Sequence, residues 1–529
     1  MPRILVADPL AEDGVGRLRE VGEVEVRTKL PEPELVAAIT DFDALVVRSE
    51  TKVTAPVLEA GRRLRVVGRA GVGVDNIDVA TATRLGVLVV NAPRGNIIAA
   101  AEHAVGLLLS TARLIPQADA SVRAGEWARA KFVGTEIRGK TLGIVGLGNI
   151  GGEVAKRAQG LEMEVIAFDP AVPAERADQL GVELVSLDEL LRRADFISIH
   201  APLVDATRGL IGAEQLARVK DSAILVNAAR GGIVDEQALH DALSSGRLRA
   251  AAMDVFEAEP VGDSPLLRLP NFVATPHIGA STREAQTSVA FDVAEEVAAV
   301  LAGEIPRYAV NAPTLPPEEL AFLRPFMALA ERLGSLCVQL QGGRVAAVEL
   351  EYEGELAERE IAVVTSAALR GLLQPFTEER INPVNARLVA AGRGIKLTER
   401  RTPQSASYPN LVTLRVGDFE AAGTVLMDEP HVLRIGAFRL DFVPEGRFLF
   451  SFHQDRPGVV GHFGTVLGEH DVNIASMVVG RDAPRGHALM ILAVDDPVAA
   501  DVQDVLRDFP GMSDLRYLEL GLESAGRGG

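Results

Sequence analysis

Short apolar runs separated by amphipathic stretches recur from the N-terminus: Ile4–Ala7, Ala44–Val47, Val66–Val67 and Val87–Val90. Runs of this length, bounded by polar or glycine-containing segments, predict buried parallel strands alternating with helices. The alternation resumes at Leu142–Val145, Val165–Phe168, Phe196–His200, Ala223–Asn227, Ala251–Val255 and Phe272–Thr275, which predicts a second parallel sheet covered on both faces. Between the two groups, Asn96–Leu114 is long, apolar and free of proline and reads as a helix crossing from one unit to the other. Ser281–Leu301 reads as a second long helix, followed by an exit segment over 307–313. If that helix returns to the first unit, the first unit is discontinuous (1–97 and 283–315) and encloses the second (98–282).

The prolines over 313–317 mark a boundary. Beyond it, Glu318–Leu340 predicts a helix and Val345–Tyr352 alternates like a strand with one exposed face, so 316–447 reads as an α+β unit. The last unit, 448–529, begins with the strand and turn of Phe448–Gly458. A helix (Val459–Glu469), two strands (Ile474–Gly480 and Ala488–Val494), a helix (Pro497–Asp508) and a strand (Asp514–Glu519) follow. That βαββαβ order predicts a ferredoxin-like domain.

Composition narrows the function. With 529 residues, 47% of them hydrophobic, the chain can build several sizeable cores. A formal net charge of −19 opposes broad binding to nucleic acid or to an anionic membrane, but leaves room for small anions where arginines are placed locally. The single cysteine, Cys337, excludes an internal disulfide and fits a reducing cytoplasm. No secretory pattern opens the chain, and its longest apolar candidate, Ile97–Ile115, carries Glu102, His103 and Arg113, so no membrane span is expected.

The most specific signal is Thr141-Leu-Gly-Ile-Val-Gly-Leu-Gly-Asn-Ile-Gly151, closed by Asp169 at the end of the next apolar run. A strand enters the turn and a helix-like segment, Glu153–Gln159, leaves it, which is the context of a dinucleotide site. Gly146 permits the tight turn, Gly148 lets backbone amides approach a pyrophosphate, and Gly151 lets the helix pack close to the strand. The helix N-terminus favours the phosphate charge. Asp169 would accept hydrogen bonds from an adenosine ribose and repel a 2′-phosphate, so NAD is expected rather than NADP.

Three polar residues follow the expected strand ends of this unit: Arg230 in Asn-Ala-Ala-Arg-Gly-Gly, Glu259 in Asp254-Val-Phe-Glu-Ala-Glu-Pro260, and His277 in Thr275-Pro-His-Ile-Gly-Ala280. Hydride removal from a 2-hydroxy acid needs such a set. A histidine takes the hydroxyl proton, a carboxylate charges and orients it, and an arginine grips the substrate carboxylate. Glu257 can be proposed in place of Glu259. Backbone amides around Ala70–Gly73 could form an anion nest. No metal site is assigned.

Five motifs, at 68–76, 146–151, 227–235, 254–260 and 276–282, make the chain similar to the D-isomer-specific 2-hydroxyacid dehydrogenases. Over its full length it resembles the long members of that family, which oxidise D-3-phosphoglycerate, the first step of L-serine biosynthesis. The resemblance implies a Rossmann-like NAD domain inserted in a flavodoxin-like substrate domain, then an α+β intervening domain and a C-terminal ACT regulatory domain. It assigns Arg230, Glu259 and His277 as catalytic. To NAD it assigns Val72, Asn149, Ile150, Ala201, Ala228, Ala229, Asp254 (at the nicotinamide carboxamide), Gly279 and Ala280, beside Gly146, Gly148, Gly151, Asp169, Arg230 and His277. To a small anionic substrate it assigns Arg48, Ser49, Ala70, Gly71, Gly73 and Asn96. His453, Asp455 and Asn473 would bind an effector, L-serine, across a dimer interface, in a homodimer or homotetramer. Trp127, Arg129 and Lys131 could reach a neighbouring subunit's site. A different D-2-hydroxy acid substrate, or an NAD-sensing protein without turnover, are the alternatives.

Overall fold

The first parallel sheet contains β1 (Arg3–Val6), β2 (Glu23–Val26), β3 (Ala44–Val47), β4 (Val66–Arg69) and β5 (Leu88–Asn91), in the order β2-β1-β3-β4-β5 of a flavodoxin-like fold. β2 was not among the predicted strands. Its Glu-Val-Glu-Val sequence sits at the sheet edge with no residue fully buried, so it lacks the apolar run that marks the others. The structure, a computed structural model, describes residues 1–521 apart from 314, 343–344, 378–379 and 406. The 522–529 end of the last predicted unit and position 314 of the expected boundary lie outside the described residues.

The second sheet is all parallel. It contains β6 (Thr141–Val145), β7 (Glu164–Phe168), β8 (Glu183–Leu184), β9 (Phe196–Ile199), β10 (Ile224–Asn227), β11 (Ala250–Met253) and β12 (Phe272–Ala274), in the order β12-β11-β10-β9-β6-β7-β8. The order reverses between β6 and β9, the switch point where doubly wound sheets bind ligands. The predicted crossing helix runs Ile97–Ala112 and then breaks. Leu114 adopts φ 55°, and a separate helix, Ile115–Arg123, turns away with none of its residues fully buried. Among the described residues no single helix is long and apolar enough to cross a membrane.

Two helices exchange sides. Ala101, Ala104 and Leu108 of the Ile97–Ala112 helix pack on Leu142, Val226 and Ala252 of the second sheet. Val289, Val293 and Val297 of the Arg283–Leu301 helix pack instead on Ile4, Val46 and Val66 of the first. The chain then lies along β5, where the amide of Val310 donates to the Val89 carbonyl (2.7 Å). The cleft between the sheets is thus bridged by both helices.

The remaining strands are β13 (Ala347–Gly354), β14 (Lys396–Thr402), β15 (Asn410–Val416), β16 (Phe419–Leu426), β17 (Glu429–Ile435) and β18 (Phe438–Phe442), then β19 (Gly446–Gln454), β20 (Ile474–Arg481), β21 (His487–Val494) and β22 (Met512–Leu520). The first six form one sheet, in which only β13 and β14 pair in parallel, and the last four form the βαββαβ sheet with the order β20-β21-β19-β22. One face of that last sheet, including Leu449, Met490 and Leu492, packs on its own helices through Phe463 and Leu506. The other face, including Phe450, Ile491 and Leu518, joins Leu333 and Leu336 in the core of the preceding unit. Phe442 stands edge-on to Phe448 and Phe450, at 5.4 and 6.0 Å between ring centres. The last two units therefore share a core.

They also touch the first sheet. Asn382 Nδ2 donates to the carbonyl of Gly86 (2.5 Å), just ahead of β5. Gly86 has φ +69°, and a Cβ there would lie 2.8 Å from Asn385 Nδ2. Gly86→Ala combines left-handed strain with loss of this hydrogen bond, together about 2 kcal/mol. It is expected to lower the first thermal transition in calorimetry by several degrees, and an unchanged transition would show that the contact contributes nothing in solution.

Candidate active site

Strand register builds the site. Asn227, Met253 and Ala274, the last residues of β10, β11 and β12, are direct partners, so the loops carrying Arg230, Glu259 and His277 leave the sheet side by side. His277 Nδ1 lies 2.7 Å from Glu259 Oε2, and the other Glu259 oxygen accepts the Phe256 amide (3.1 Å). Glu259, not Glu257, reaches the imidazole. The Glu257 amide donates to Glu236 instead, and Glu257 is exposed. Because a carboxylate can only accept, Nδ1 carries the proton and Nε2 offers its lone pair to the cleft. Gly231 packs so tightly on the Phe256 carbonyl that a Cβ would lie 1.9 Å from it, which sets the Arg230 loop directly against the Glu259 loop.

His277 has φ 53°, a left-handed conformation that needs support in a residue other than glycine. Asp254, 1% exposed, supplies it. Its Oδ1 accepts the Thr275 hydroxyl (2.6 Å) and the Ile278 amide (2.9 Å), Oδ2 accepts the Gly279 amide (2.8 Å), and its own carbonyl accepts the His277 amide (2.8 Å). Burial alone pushes this carboxyl up. Hydrogen bonds from His103, Thr275 and Ile278 outweigh it and hold the group below the usual carboxylate range. Asn227, fully buried, is a second brace: Nδ2 donates to the Arg230 carbonyl (2.9 Å) and Oδ1 accepts the Ala229 amide (3.1 Å).

The facing wall belongs to the first sheet, whose strand ends Val47, Arg69 and Asn91 are also in register. Buried Asp8 accepts the amides of Arg48 (2.6 Å) and Thr51 (3.2 Å), while Asn76 donates to the carbonyls of both (2.7 Å each), so the Arg48–Ser49 turn is clamped from two sides. Arg69, within the 68–76 motif but assigned no role in the sequence reading, lies beside it with a buried Nε that has no hydrogen-bond partner among the described residues. Burial, then repulsion from Arg230 and Arg48, pushes its guanidinium down to about 10. Arg230 crosses the cleft, its Nε 3.3 Å from Asp75 Oδ2. Gly71 and Gly73 leave room for these guanidinium groups: a Cβ would lie 1.5 Å from Arg69 Nη1 and 2.1 Å from Arg230 Nη2.

The anion nest expected over 70–73 is only partly available. The Ala70 amide donates to Val47 and that of Gly71 to Arg69 (2.8 Å each), which leaves the amides of Val72 and Gly73. The Val72 carbonyl is held by Asn91 Nδ2 (2.6 Å). Asn96 Oδ1 is buried without a partner among the described residues, as a ligand-facing acceptor would be. Ser49 is exposed at the clamped turn.

The dinucleotide turn fits its cofactor. Val145 pairs with Ile199 on one side and Phe168 on the other, placing the turn at the switch point with Ala201 next to it. Gly146 (φ +94°) presses on the His200–Ala201 backbone, and nothing lies within 4 Å of where a Gly148 Cβ would stand, so a cradle is left open. The Asn149–Gly160 helix starts there, and Asn149 and Ile150 form its first turn. Asp169 accepts the amides of Leu147 (2.8 Å) and Ala171 (2.9 Å), which fixes it at the turn's edge.

Residues 105–279 match the NAD binding domain of the D-isomer specific 2-hydroxyacid dehydrogenases, 322–435 the D-3-phosphoglycerate dehydrogenase intervening domain, and 448–511 the ACT domain. The D-3-phosphoglycerate dehydrogenases of Archaeoglobus fulgidus and Methanocaldococcus jannaschii are 46% and 47% identical, and each match covers 98% of this chain and 100% of the relative. The chain belongs to the D-3-phosphoglycerate dehydrogenase family. It is an NAD-dependent dehydrogenase. Among solved structures, the TT0316 protein of Thermus thermophilus is 37% identical with a TM-score of 0.55, covering 58% of this chain and 99% of its own. The apo D-lactate dehydrogenase of Escherichia coli is 28% identical (TM-score 0.53), with 58% of this chain and 99% of its own covered.

Within one chain the expected effector residues do not meet. His453 is buried, its Nδ1 2.9 Å from Ser451 Oγ, and burial pushes its pKa down. Asp455 accepts Arg481 Nη1 (3.1 Å) and the Arg485 amide (3.0 Å), whereas Asn473 donates to Asp495 (2.6 Å). The register sets Ile474 opposite Val494 and Arg481 opposite Ala488, so Asn473 and Asp455 lie at opposite ends of the sheet. Trp127 is 78% exposed, and Lys131 lies 3.6 Å from Glu126 of its own chain.

Because Arg69 has a buried, unpartnered Nε and no ion pair among the described residues, an anion that reaches it should stabilise the fold. Sulfate is expected to raise the melting temperature of the wild type and to do so much less in Arg69→Gln. Equal increments in the two proteins would remove Arg69 from the anion site.

Proposed function

We propose that this chain oxidises D-3-phosphoglycerate to 3-phosphohydroxypyruvate with NAD⁺, the first step of L-serine biosynthesis, and that L-serine regulates it through the ACT domain. The observation that carries the substrate is the set of three arginines, Arg48, Arg69 and Arg230, facing the His277–Glu259 pair in a protein of net charge −19. A phosphate and a carboxylate on one small molecule need such a concentration of cations. The names of the full-length relatives point to the same substrate.

His277 Nε2 takes the proton of the C2 hydroxyl. Glu259 keeps the opposite ring nitrogen protonated and stabilises the imidazolium that forms. Arg230 binds the substrate carboxylate and polarises the carbonyl developing at C2, while Arg48 and Arg69 hold the phosphate. NAD⁺, which the 146–151 turn and Asp169 would hold, would supply the hydride acceptor. The step balances as the C2 alcohol gives up one proton, held by His277, and one hydride in becoming a carbonyl.

The working protein is an oligomer in this reading. The Ile115–Arg123 helix has no fully buried residue in its own chain, and Trp127 and Val133 after it are 78% and 72% exposed, as expected of an arm that packs on a second copy. Arg129 and Lys131 would approach the partner's cleft. A serine site combining Asp455 with the partner subunit's Asn473 likewise needs two copies. The one buried cysteine, Cys337, suits a reducing cytoplasm.

Purified protein is expected to form NADH from D-3-phosphoglycerate, and L-serine to slow it. His277→Ala should abolish turnover yet still bind NADH by fluorescence. Arg48→Ala removes a charged hydrogen bond of roughly 1.5–3 kcal/mol, so kcat/KM should fall about 10- to 150-fold for the phosphorylated substrate. The loss should be far smaller for an unphosphorylated D-2-hydroxy acid. Equal losses on the two would assign a different substrate.

A further inference from the structure

The hydrogen bonds around Asp254 include one from outside the catalytic loops. His103 lies in the middle of the Ile97–Ala112 helix, and its Nε2 is 3.1 Å from Asp254 Oδ1 and 3.2 Å from Thr275 Oγ1. Since an ionised carboxylate only accepts, Nε2 must carry the proton in this contact. Oδ1 thus receives the Thr275 hydroxyl, the Ile278 amide and His103 together, two of them from the turn that carries His277. Removing one of these donors would leave a buried carboxylate under-solvated in a low-dielectric site, and its cheapest relief is a shift of the short loop 275–279 toward or away from it.

That loop carries His277 at a positive φ that only its surroundings maintain. The helix that holds His103 is preceded by Asn96, whose Oδ1 is buried without a hydrogen-bond partner among the described residues. Seven residues separate them, two helical turns or about 10 Å, so one rigid element carries both an unpaired acceptor and the donor to the brace of the histidine turn.

We propose that His103 is a positioning residue for the oxidation step: through Asp254 it fixes the turn that aims His277 at the substrate hydroxyl. It touches neither substrate nor cofactor. The inference rests on the reading of His277 as the base, and His277→Ala tests that reading separately.

The test compares His103→Leu with His103→Gln in the full-length protein. Glutamine keeps an N–H donor at a similar reach, while leucine keeps the volume without it. His103→Leu is expected to lower kcat by on the order of ten-fold or more, with much less change in KM for D-3-phosphoglycerate and in the NADH dissociation constant measured by fluorescence. His103→Gln is expected to recover most of the lost kcat. The proposal is overturned if His103→Leu turns over like the wild type. It is also overturned if glutamine rescues nothing, or if kcat falls only in step with the melting temperature and NADH affinity, as a purely structural role predicts. If His277→Ala retains turnover, the reading of the base fails first, and that outcome is visible without either His103 variant.

Discussion

The reactive end of the cofactor domain hangs on the carboxylate of Asp254, which accepts hydrogen bonds from Thr275, Ile278 and Gly279 while its own carbonyl receives the amide of His277. A carboxylate that is 1% exposed is costly unless its lone pairs are filled, and here they are filled by the loop that must be shaped. These hydrogen bonds offset both the cost of burying the charge and the strain of a left-handed histidine. Once the turn is set, Glu259 can meet Nδ1 at 2.7 Å, which decides the tautomer and leaves Nε2 to the substrate. The pair therefore depends on a residue that never needs to touch the reacting atoms.

Electrostatics on the opposite wall follow a similar logic. The chain as a whole is strongly acidic, yet three guanidinium groups are drawn together where β3, β4 and the loop after β10 face the cleft. Arg69 sits there with its charge disfavoured by burial and by its neighbours, a pre-formed demand for a negative ligand rather than a stabilising contact. Glycines at 71 and 73 leave open the space that the guanidinium groups occupy. The motif at 68–76 is thus a packing solution around cations as much as an amide nest, which explains why two of the amides expected to bind an anion are spent on Val47 and Arg69.

Sequence reading reached the parts of the site that depend on local chemistry. The glycine turn with its trailing acid, the strand-end Arg230, Glu259 and His277, and the βαββαβ order were all visible because each has a short pattern tied to a mechanism. What escaped depends on contacts between distant segments. His103 is one polar residue in an apolar helix, and nothing local distinguishes a solvated histidine from one paired with Asp254. Arg69 stood inside a recognised motif, but its burial arises only when the sheets face each other. Strand β2 lacked an apolar run. Residue chemistry alone left Glu257 open beside Glu259, which the family resemblance assigned; the loop conformation, in which Phe256 turns its amide toward Glu259, brings Glu259 to the imidazole.

The regulatory half illustrates the same limit on a larger scale. The separation of Asp455 from Asn473 follows from antiparallel register, since a strand of eight residues at about 3.3 Å each carries its two ends more than 20 Å apart. No single ACT fold can close a site around both, so a site that uses both must draw on two chains, and the exposed Met477 and Val479 on the edge strand β20 lie between those ends. Nor is that half merely tethered. Phe450, Ile491 and Leu518 share a core with the intervening domain, and Asn382 of that domain binds the carbonyl of Gly86 at the start of β5. The far end of β5 is Asn91, whose side chain holds the Val72 carbonyl in the substrate loop. One strand of four residues therefore joins the docking contact to the anion-binding wall, and the stiffness of a buried parallel strand makes that connection short.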